Sequence, residues 1–448
     1  MSTDPHTSTA TEGFTARPAE TVPTADPVVV PTGDPVVVPT GDPVVVPTSA
    51  AEALAKAREV AARIEVDAAL RDRDRRLPYA EIDDLSASGL LAITVPQLFG
   101  GPDLAPSVVA DVTRLLAAAD PNVAQIPHSH FVYLNLLRLA APDALAQRIF
   151  GHVLQGGRVA NAQSERGGKT VADINTTLRR QDDRFVLDGE KFYATGSLFA
   201  HTLAVLARLP EESETGDAAG EFEPGEYIAF VAADAPGVEI VDDWNGLGQR
   251  TTGSGTVRFS GVDVDPGDLV ARAPAVARPT GYGAFAQLLH VAIDVGIARG
   301  ALDAAADFVR TKSRPWFEAG VERADADLLT VQRFGELGVE VAAAEATLDA
   351  ASRAVDAATA DDVDDPALTA QASIAVAVAK TVADRASNSV SSALFEVAGT
   401  RSASAELSLD RFWRNARTHT LHDPVRWKYQ HIGRWVLRGE SPPIHGVI

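Results

Sequence analysis

The chain has 448 residues, no cysteine and a formal net charge of −21. A surface that acidic repels phosphate backbones, and the missing cysteines exclude disulfides, thiolate metal or iron–sulfur sites and a thiol nucleophile. No apolar run reaches the roughly 18 residues of a membrane span, and Met1–Glu20 has neither the basic nor the apolar region of a signal peptide. The expectation is an acidic cytoplasmic protein with no nucleic-acid or membrane partner.

Residues 1–49 form a tail in which an eight-residue unit recurs from Pro23, Pro31 and Pro39, each copy ending in three valines. Two prolines per unit remove backbone donors, so the tail is expected to be disordered and semi-extended. From Ala50 to Gly157 the apolar spacing predicts helices over Ala51–Asp72, Tyr79–Leu90, Pro106–Ala118, Val123–Leu139 and Pro142–Leu154. Residues 158–278 change character. Short β-rich runs, from Arg158–Gln163 to Gly255–Phe259, are separated by Asp-Asp, Asp-Gly and Pro-Gly turn signals, which predicts a mainly antiparallel domain with an acidic loop over Glu211–Gly225. Residues 279–448 return to long, Ala-rich helical patterns: Phe285–Lys312, Ala324–Ala358, Asp365–Ala398 and Ala405–Leu437. The expected fold class is α+β: helices, then a β domain, then a helical bundle with contacts between subunits.

Several chemistries fail at the level of spacing. Gly246-Leu-Gly248 and Gly281-Tyr-Gly283 lack the strand–turn–helix context of a dinucleotide fingerprint. Gly168-Lys169-Thr170 resembles the end of a P-loop, but its first glycine position is Gln163. His419 and His422, three apart, have no third ligand nearby, so no metal site is assigned. The stretch from Asp410 to Pro424 is different, gathering aromatics, arginines, two histidines and Asp423 at one helix end. An adjacent His422 and Asp423 there can hold a tuned proton-transfer group. Asn161–Glu165 and Lys191–Gly196 place amide and hydroxyl groups at strand ends, where a planar polar ring can be met.

The order of elements resembles the acyl-CoA dehydrogenase fold. Ser88-Gly-Leu-Leu-Ala-Ile-Thr-Val-Pro96 with Phe99-Gly-Gly101, Ser164-Glu165, Lys191-x-Tyr-Ala-Thr195 and Arg414-Asn-Ala416 carry the resemblance. The run from Asp410 to Pro424, with Arg401, Asp242-Asp-Trp244, Gly248–Thr252, Gly300–Ala305 and Arg310–Trp316, is similar to the flavin monooxygenases of the dibenzothiophene monooxygenase group and to the SfnB-type sulfur-acquisition oxidoreductases.

That resemblance implies a two-component enzyme. An NAD(P)H-dependent flavin reductase supplies reduced FMN, O2 forms a C4a-peroxyflavin, and one oxygen passes to a small organosulfur compound. Asn161, Ser164, Tyr193, Thr195, Trp244, Arg310, Arg401 and His422 are expected around the flavin, with Arg310 reaching in from a neighbouring subunit of a homotetramer. His422 oriented by Asp423, with His130 and Thr195, is expected at the reacting centre. The alternative is an FAD-dependent acyl-CoA dehydrogenase using Asp423 as its base. The loss of the family's Gln-x-x-Gly-Gly-x-Gly pattern at Phe395–Arg401 favours FMN, because Arg401 with Arg310 can grip a terminal phosphate bidentately.

Overall fold

A computed structural model describes residues 44–166, 168, 170, 173–211, 222–360, 364–446 and 448. The expected tail up to residue 43, most of the Glu211–Gly225 loop and Lys169 of the P-loop-like fragment lie outside the described residues. The tail boundary expected at residue 49 falls too late. Val46 packs on a hydrophobic cluster and Pro47 is buried. The backbone of Val45 and Val46 also occupies the space that a Cβ on Gly89 would need.

Helix α1 (Ala50–Glu65) starts where Ser49 Oγ accepts the Glu52 N–H at 3.3 Å, while the Glu52 carboxylate reaches back to the Thr48 N–H at 2.8 Å. This reciprocal arrangement satisfies donors that a helix start leaves bare. Ala53, Ala57, Val60 and Ile64 form its buried stripe. Next come α2 (Ala68–Asp74), α3 (Tyr79–Ala87), α4 (Pro106–Ala119), α5 (Pro121–Gln125), α6 (His128–Ala140) and α7 (Asp143–Val153). The helix expected over Val123–Leu139 is two helices, because Pro127 disfavours helical backbone in the residue before it and starts α6 afresh.

Eight strands form one sheet: β1 (Val159–Ala162), β2 (Thr177–Gln181), β3 (Arg184–Lys191), β4 (Thr202–Leu209), β5 (Gly225–Ala232), β6 (Val238–Val241), β7 (Thr256–Val264) and β8 (Leu269–Ala271). Their order is β6-β7-β3-β2-β4-β5-β8, with β1 also on β4. The sheet is mixed. The neighbours β2–β3, β3–β7, β4–β5, β5–β8 and β6–β7 are antiparallel as expected, but β1 runs parallel to β4 and β2 meets β4 in parallel at Thr177↔Arg208. A parallel pair needs a long crossover rather than a hairpin. The whole stretch from β1 to β4 supplies it, and turn signals read one at a time do not reveal it. The β3 ladder shifts register between Leu187 and Gly189, where only glycine fits against Thr176.

The chain then turns helical: α8 (Arg272–Val276), α9 (Tyr282–Thr311), α10 (Leu328–Ala358), α11 (Pro366–Ala398), α12 (Asp410–His419) and α13 (Val425–Arg438). The last expected segment, Ala405–Leu437, is interrupted at Pro424, which cannot continue a helix. Helix α9 is the axle of the molecule. Val291, Ile293, Val295 and Ile297 are fully buried, each contributing about 1.5–3 kcal/mol of apolar burial. Both α9 and α11 are long and apolar enough by composition to cross a bilayer, which the sequence reading did not anticipate. For α9 that composition is the signature of the protein core, since 94% of its most apolar window is buried within the protein.

Candidate active site

One loop joins the sheet to the helical bundle. Gly248 N–H donates to Thr418 Oγ1 at 2.8 Å and Gln249 N–H to Asn415 Oδ1 at 2.6 Å, both on α12. Thr251 N–H donates to Asn122 Oδ1 of α5 at 3.2 Å, and the Thr252 carbonyl accepts the Gly196 N–H at 3.1 Å. Gly248 packs so closely on the Arg414 carbonyl that a Cβ would collide with it. Gln249 holds φ at 50°, a left-handed conformation that is costly for a non-glycine residue and typical of functional turns. The loop thereby fixes the end of α12 against α5 and the turn after β3.

On the sheet side, Thr195 Oγ1 and Ser254 Oγ lie 2.8 Å apart, and Ser254 Oγ is 2.6 Å from Thr252 Oγ1. These three hydroxyls form a polar ladder. Tyr193, at φ 56°, meets Trp244 edge to face at 6.1 Å. The Trp244 indole N–H donates to the Gln249 carbonyl at 2.7 Å. The Asn161 Oδ1 and Ser129 Oγ atoms are buried with no hydrogen-bond partner among the described residues. Such groups cost free energy unless a ligand or water satisfies them. Ser164 is exposed, and its carbonyl accepts the Phe192 N–H at 2.8 Å, which ties β1 to the residue after β3.

On the helical side, His422 is 44% exposed and lies over His290 of α9, with ring centroids 4.0 Å apart. His290 stacks on His128 of α6 at 3.9 Å. Burial pushes His128 down to about 3 and His290 well below the ordinary imidazole range. His419 is fully buried. Its Nδ1 is 2.6 Å from Asp294 Oδ1 and its Nε2 is 3.1 Å from His290 Nδ1. Asp294 Oδ2 is 2.6 Å from Lys380 Nζ. Among the described residues no group of three or more His, Cys, Asp or Glu is placed to hold a metal ion.

Three expectations need correction. His130 is not free to act on a substrate. Its Nε2 lies 2.8 Å from the Leu91 carbonyl and its Nδ1 accepts the Val159 N–H at 3.1 Å, so it fastens α6 to β1. Asp423 does not orient His422 by a hydrogen bond, because the closest approach is 3.9 Å. It pairs instead with Lys428 at 2.9 Å. Burial alone would raise the Asp423 carboxyl, but His422 and the nearby ammonium groups hold it below the usual carboxylate range, which suits a counter-ion and not the base of a dehydrogenase. Arg401 does not join the other residues within one chain, and Arg310, expected in a neighbouring subunit's site, also stands apart from them. Both are exposed, with Arg401 Nη1 donating to the Lys312 carbonyl at 2.6 Å beside an open groove of about 510 Å³. Arg310 is 20 residues along α9 from His290, roughly 30 Å at about 1.5 Å per residue.

The sequence reading missed His128, His290, Asp294 and Lys380. A signal was present: His290 and Asp294 are spaced i, i+4 within Leu288–Ala298, a stretch of the helix in which every other residue is apolar or glycine. Lys380 stands alone in an Ala/Val run.

The fold and this site define a flavoenzyme of the acyl-CoA dehydrogenase type. The family described as acyl-CoA dehydrogenase, middle domain, matches residues 161–262, and its C-terminal domain matches residues 288–427. The dibenzothiophene monooxygenase of Mycolicibacterium goodii is 32% identical over 402 residues, covering 86% of this chain and 94% of that protein. The probable FMNH2-dependent monooxygenase SfnC of Pseudomonas putida is 31% identical, covering 87% and 96%. The crystal structure of FMN-bound TdsC from Paenibacillus sp. A11-2 superposes with a TM-score of 0.82 at 32% identity, covering 88% of this chain and all of that one. The chain belongs to the acyl-CoA dehydrogenase family, in the branch of the dibenzothiophene monooxygenases.

Proposed function

We propose that this protein is the oxygenase of a two-component system: it takes reduced FMN from an NAD(P)H-dependent reductase in the cytoplasm and oxygenates a small organosulfur compound. The observation that carries the reading is the half-exposed His422 on its imidazole stack, pinned through α12 to the Thr195–Ser254–Thr252 hydroxyl ladder. The residues present fit a flavin. Its ring has both donor and acceptor edges, matching the unpartnered Asn161 oxygen and the ladder hydroxyls, while Trp244 and Tyr193 offer apolar ring faces. When bound, reduced FMN supplies the two electrons that let one atom of O2 pass to sulfur while the other leaves as water.

The chain's own residues do the rest. Thr195 holds the flavin edge through its hydroxyl, and Asn161 accepts a hydrogen bond. His422 holds or passes a proton at a ring nitrogen. The Gly248–Thr252 loop closes the site against water, which slows loss of oxygen as H2O2. Arg310 and Arg401 grip the phosphate of a flavin bound mainly by a second copy. Trp316 at 63% exposed and Phe317 at 79% lie six and seven residues after Arg310, and this apolar surface supports assembly as a homotetramer.

The test mixes the protein, loaded anaerobically with reduced FMN, with O2 and a panel of thiophenes, sulfides and sulfones. The reading expects an oxygenated sulfur product with little H2O2, and His422→Ala raises H2O2 at the product's expense. No oxygenated product from any member would overturn it. Mixing Arg310→Ala with His422→Ala chains and reassembling them should restore part of the activity each lacks. No restoration would remove Arg310 from the flavin site.

A further inference from the structure

We propose that Lys380, Asp294 and His419 form a positioning chain that locks His290 in one neutral tautomer, hydrogen on Nδ1 and lone pair on Nε2, giving the site beside His422 a fixed hydrogen-bond acceptor. This rests on the reading of that site as the oxygenation centre.

Each proton in the chain is set by the link before it. The Lys380 and Asp294 side chains are completely buried and 2.6 Å apart. An ammonium can only donate, so the Asp294 carboxylate accepts. Burial opposes both charges, but the contact wins, keeping Lys380 protonated and Asp294 ionised. The second Asp294 oxygen is 2.6 Å from His419 Nδ1, so that nitrogen carries the hydrogen. Burial keeps the His419 ring neutral against the pull of Asp294. Its Nε2 is then a lone pair, and His290 Nδ1, 3.1 Å away, must be the donor. His290 Nε2 is left as an acceptor with no hydrogen bond to any described residue.

The charged and titratable groups that act on His290 are His128 of α6, His419 of α12, His422 after it and Lys380 of α11; Asp423 and Asp384 in turn act on Lys380, and Lys428 pairs with Asp423. His128 Nε2 is spent on the Ala286 carbonyl at 2.9 Å, so a second neutral ring backs the stack. Two consequences follow. A hydroxyl or N–H brought against the stack finds one acceptor geometry. His422 can also carry a proton without facing a cationic ring, because an imidazole held neutral by burial and a nearby ammonium does not take one.

The experiment labels the histidines of the full-length chain with nitrogen-15 and reads their ring nitrogens by NMR, with His290 identified by the signals lost in His290→Phe. The expected His290 pair is one pyrrole-type Nδ1 and one pyridine-type Nε2, unchanged from pH 6 to 9. In Asp294→Asn the amide donates where the carboxylate accepted, the chain inverts, and the pyridine-type signal moves to Nδ1. Where Asp294→Asn does not fold because Lys380 has lost its partner, His419→Phe keeps the Lys380–Asp294 pair and removes the acceptor from His290 Nδ1, so the His290 pair should become a mixture of both tautomers. A wild-type His290 that is cationic or hydrogenated at Nε2, or either variant with the pair unchanged, overturns the proposal.

In turnover, Asp294→Asn should lower coupled oxygenation roughly 10²-fold, the low end of what a positioned proton-transfer group contributes, with reduced-FMN affinity unchanged. The expected tautomer in a protein that oxygenates no sulfur compound overturns the monooxygenase reading alone. Oxygenation with hydrogen on Nε2 overturns the positioning chain alone.

Discussion

Among the described residues two lysines are completely buried, each 2.6 Å from a carboxylate, yet the pairs end differently. Lys191, at the end of β3, pairs with Glu165, which also accepts from the Asn175 and Thr176 backbone N–H groups at 2.6 and 3.0 Å and from the Asn175 side-chain amide at 3.1 Å. Lys191 Nζ also donates to the Gln163 carbonyl at 3.1 Å. This network finishes in backbone and in one side-chain amide, with no imidazole in it, and fastens the segment after β1 to the start of β2. Lys380 and Asp294 finish in imidazoles, His419 then His290, one ring short of the half-exposed His422. Burial of an ion pair is weak evidence of function, since desolvation consumes most of its Coulomb gain. What the pair terminates in separates a clamp from a device.

The largest effect should come from breaking each pair. Lys380→Ala leaves Asp294 buried with only a neutral imidazole, and we expect a loss of about 3–5 kcal/mol, the cost of an uncompensated buried charge. Lys191→Ala leaves Glu165 its two backbone donors, so its loss should be about 1–3 kcal/mol, nearer that of one charge-assisted hydrogen bond. Urea unfolding of both variants measures this. Equal losses would remove the contrast.

Acid should take the two regions apart in sequence. His128 and His130 have folded values near 3 and 4, below the ordinary 6.5, because burial disfavours their charged forms. A depressed folded value means that stability is complete above 6.5 and drains as pH falls toward 4. Glu165 is held at about 2 against an ordinary 4.5: burial would raise it, but Lys191 and the Thr176 and Asn175 amides outweigh that. Its contribution is complete above 4.5 and lost between 4.5 and 2. The stability of the wild-type chain should therefore fall in two stages. Glu165→Gln should flatten only the lower one, and His128→Phe should reduce the upper. A single stage below pH 4.5 would show that the histidine stack adds nothing to the pH dependence.

The clamp was half legible in the sequence and the device was not. Strand ends at Asn161–Glu165 and Lys191–Gly196 stand out as polar groups beside glycine, and both lie where the clamp forms. Local spacing also marks α9 and α12. It cannot show that His290 and His419, 129 positions apart, share a hydrogen bond, because that contact depends on how α9, α11 and α12 pack. His130 illustrates the opposite error: the family resemblance implies a role at the reacting centre, yet two backbone groups, Leu91 and Val159, consume both nitrogens. The parallel placement of β1 against β4 escaped for the same reason, since pairing partners are set by the crossover and not by the strands' own residues.

A middle-sized effect should come from the hydroxyl ladder, which touches neither lysine pair. Thr195→Val removes one hydroxyl bond to Ser254 and one proposed to the flavin. Net hydrogen bonds contribute about 0.5–1.5 kcal/mol each, so reduced-FMN affinity should fall about threefold to tenfold. Fluorescence quenching on FMN titration reads this directly, with Thr195→Ser expected to restore most of it. Unchanged affinity in Thr195→Val would remove the ladder from the flavin site.

The smallest effect should be that of Glu165→Gln on function at neutral pH, and it is the sharpest check on what distinguishes the two networks. The glutamine amide oxygen can still accept the Thr176 or Asn175 N–H, so the segment after β1 stays fastened although the charge is gone. Asn161, four residues earlier, should keep its place, and FMN affinity should change less than about threefold, under the net value of one hydrogen bond. Asp294→Asn is the same isosteric change in the other pair, and its effect should be felt in coupled oxygenation while FMN affinity holds. Were the two substitutions to damage turnover alike, ending in imidazole would confer nothing beyond structure, and the stack would be as much a clamp as Lys191 and Glu165.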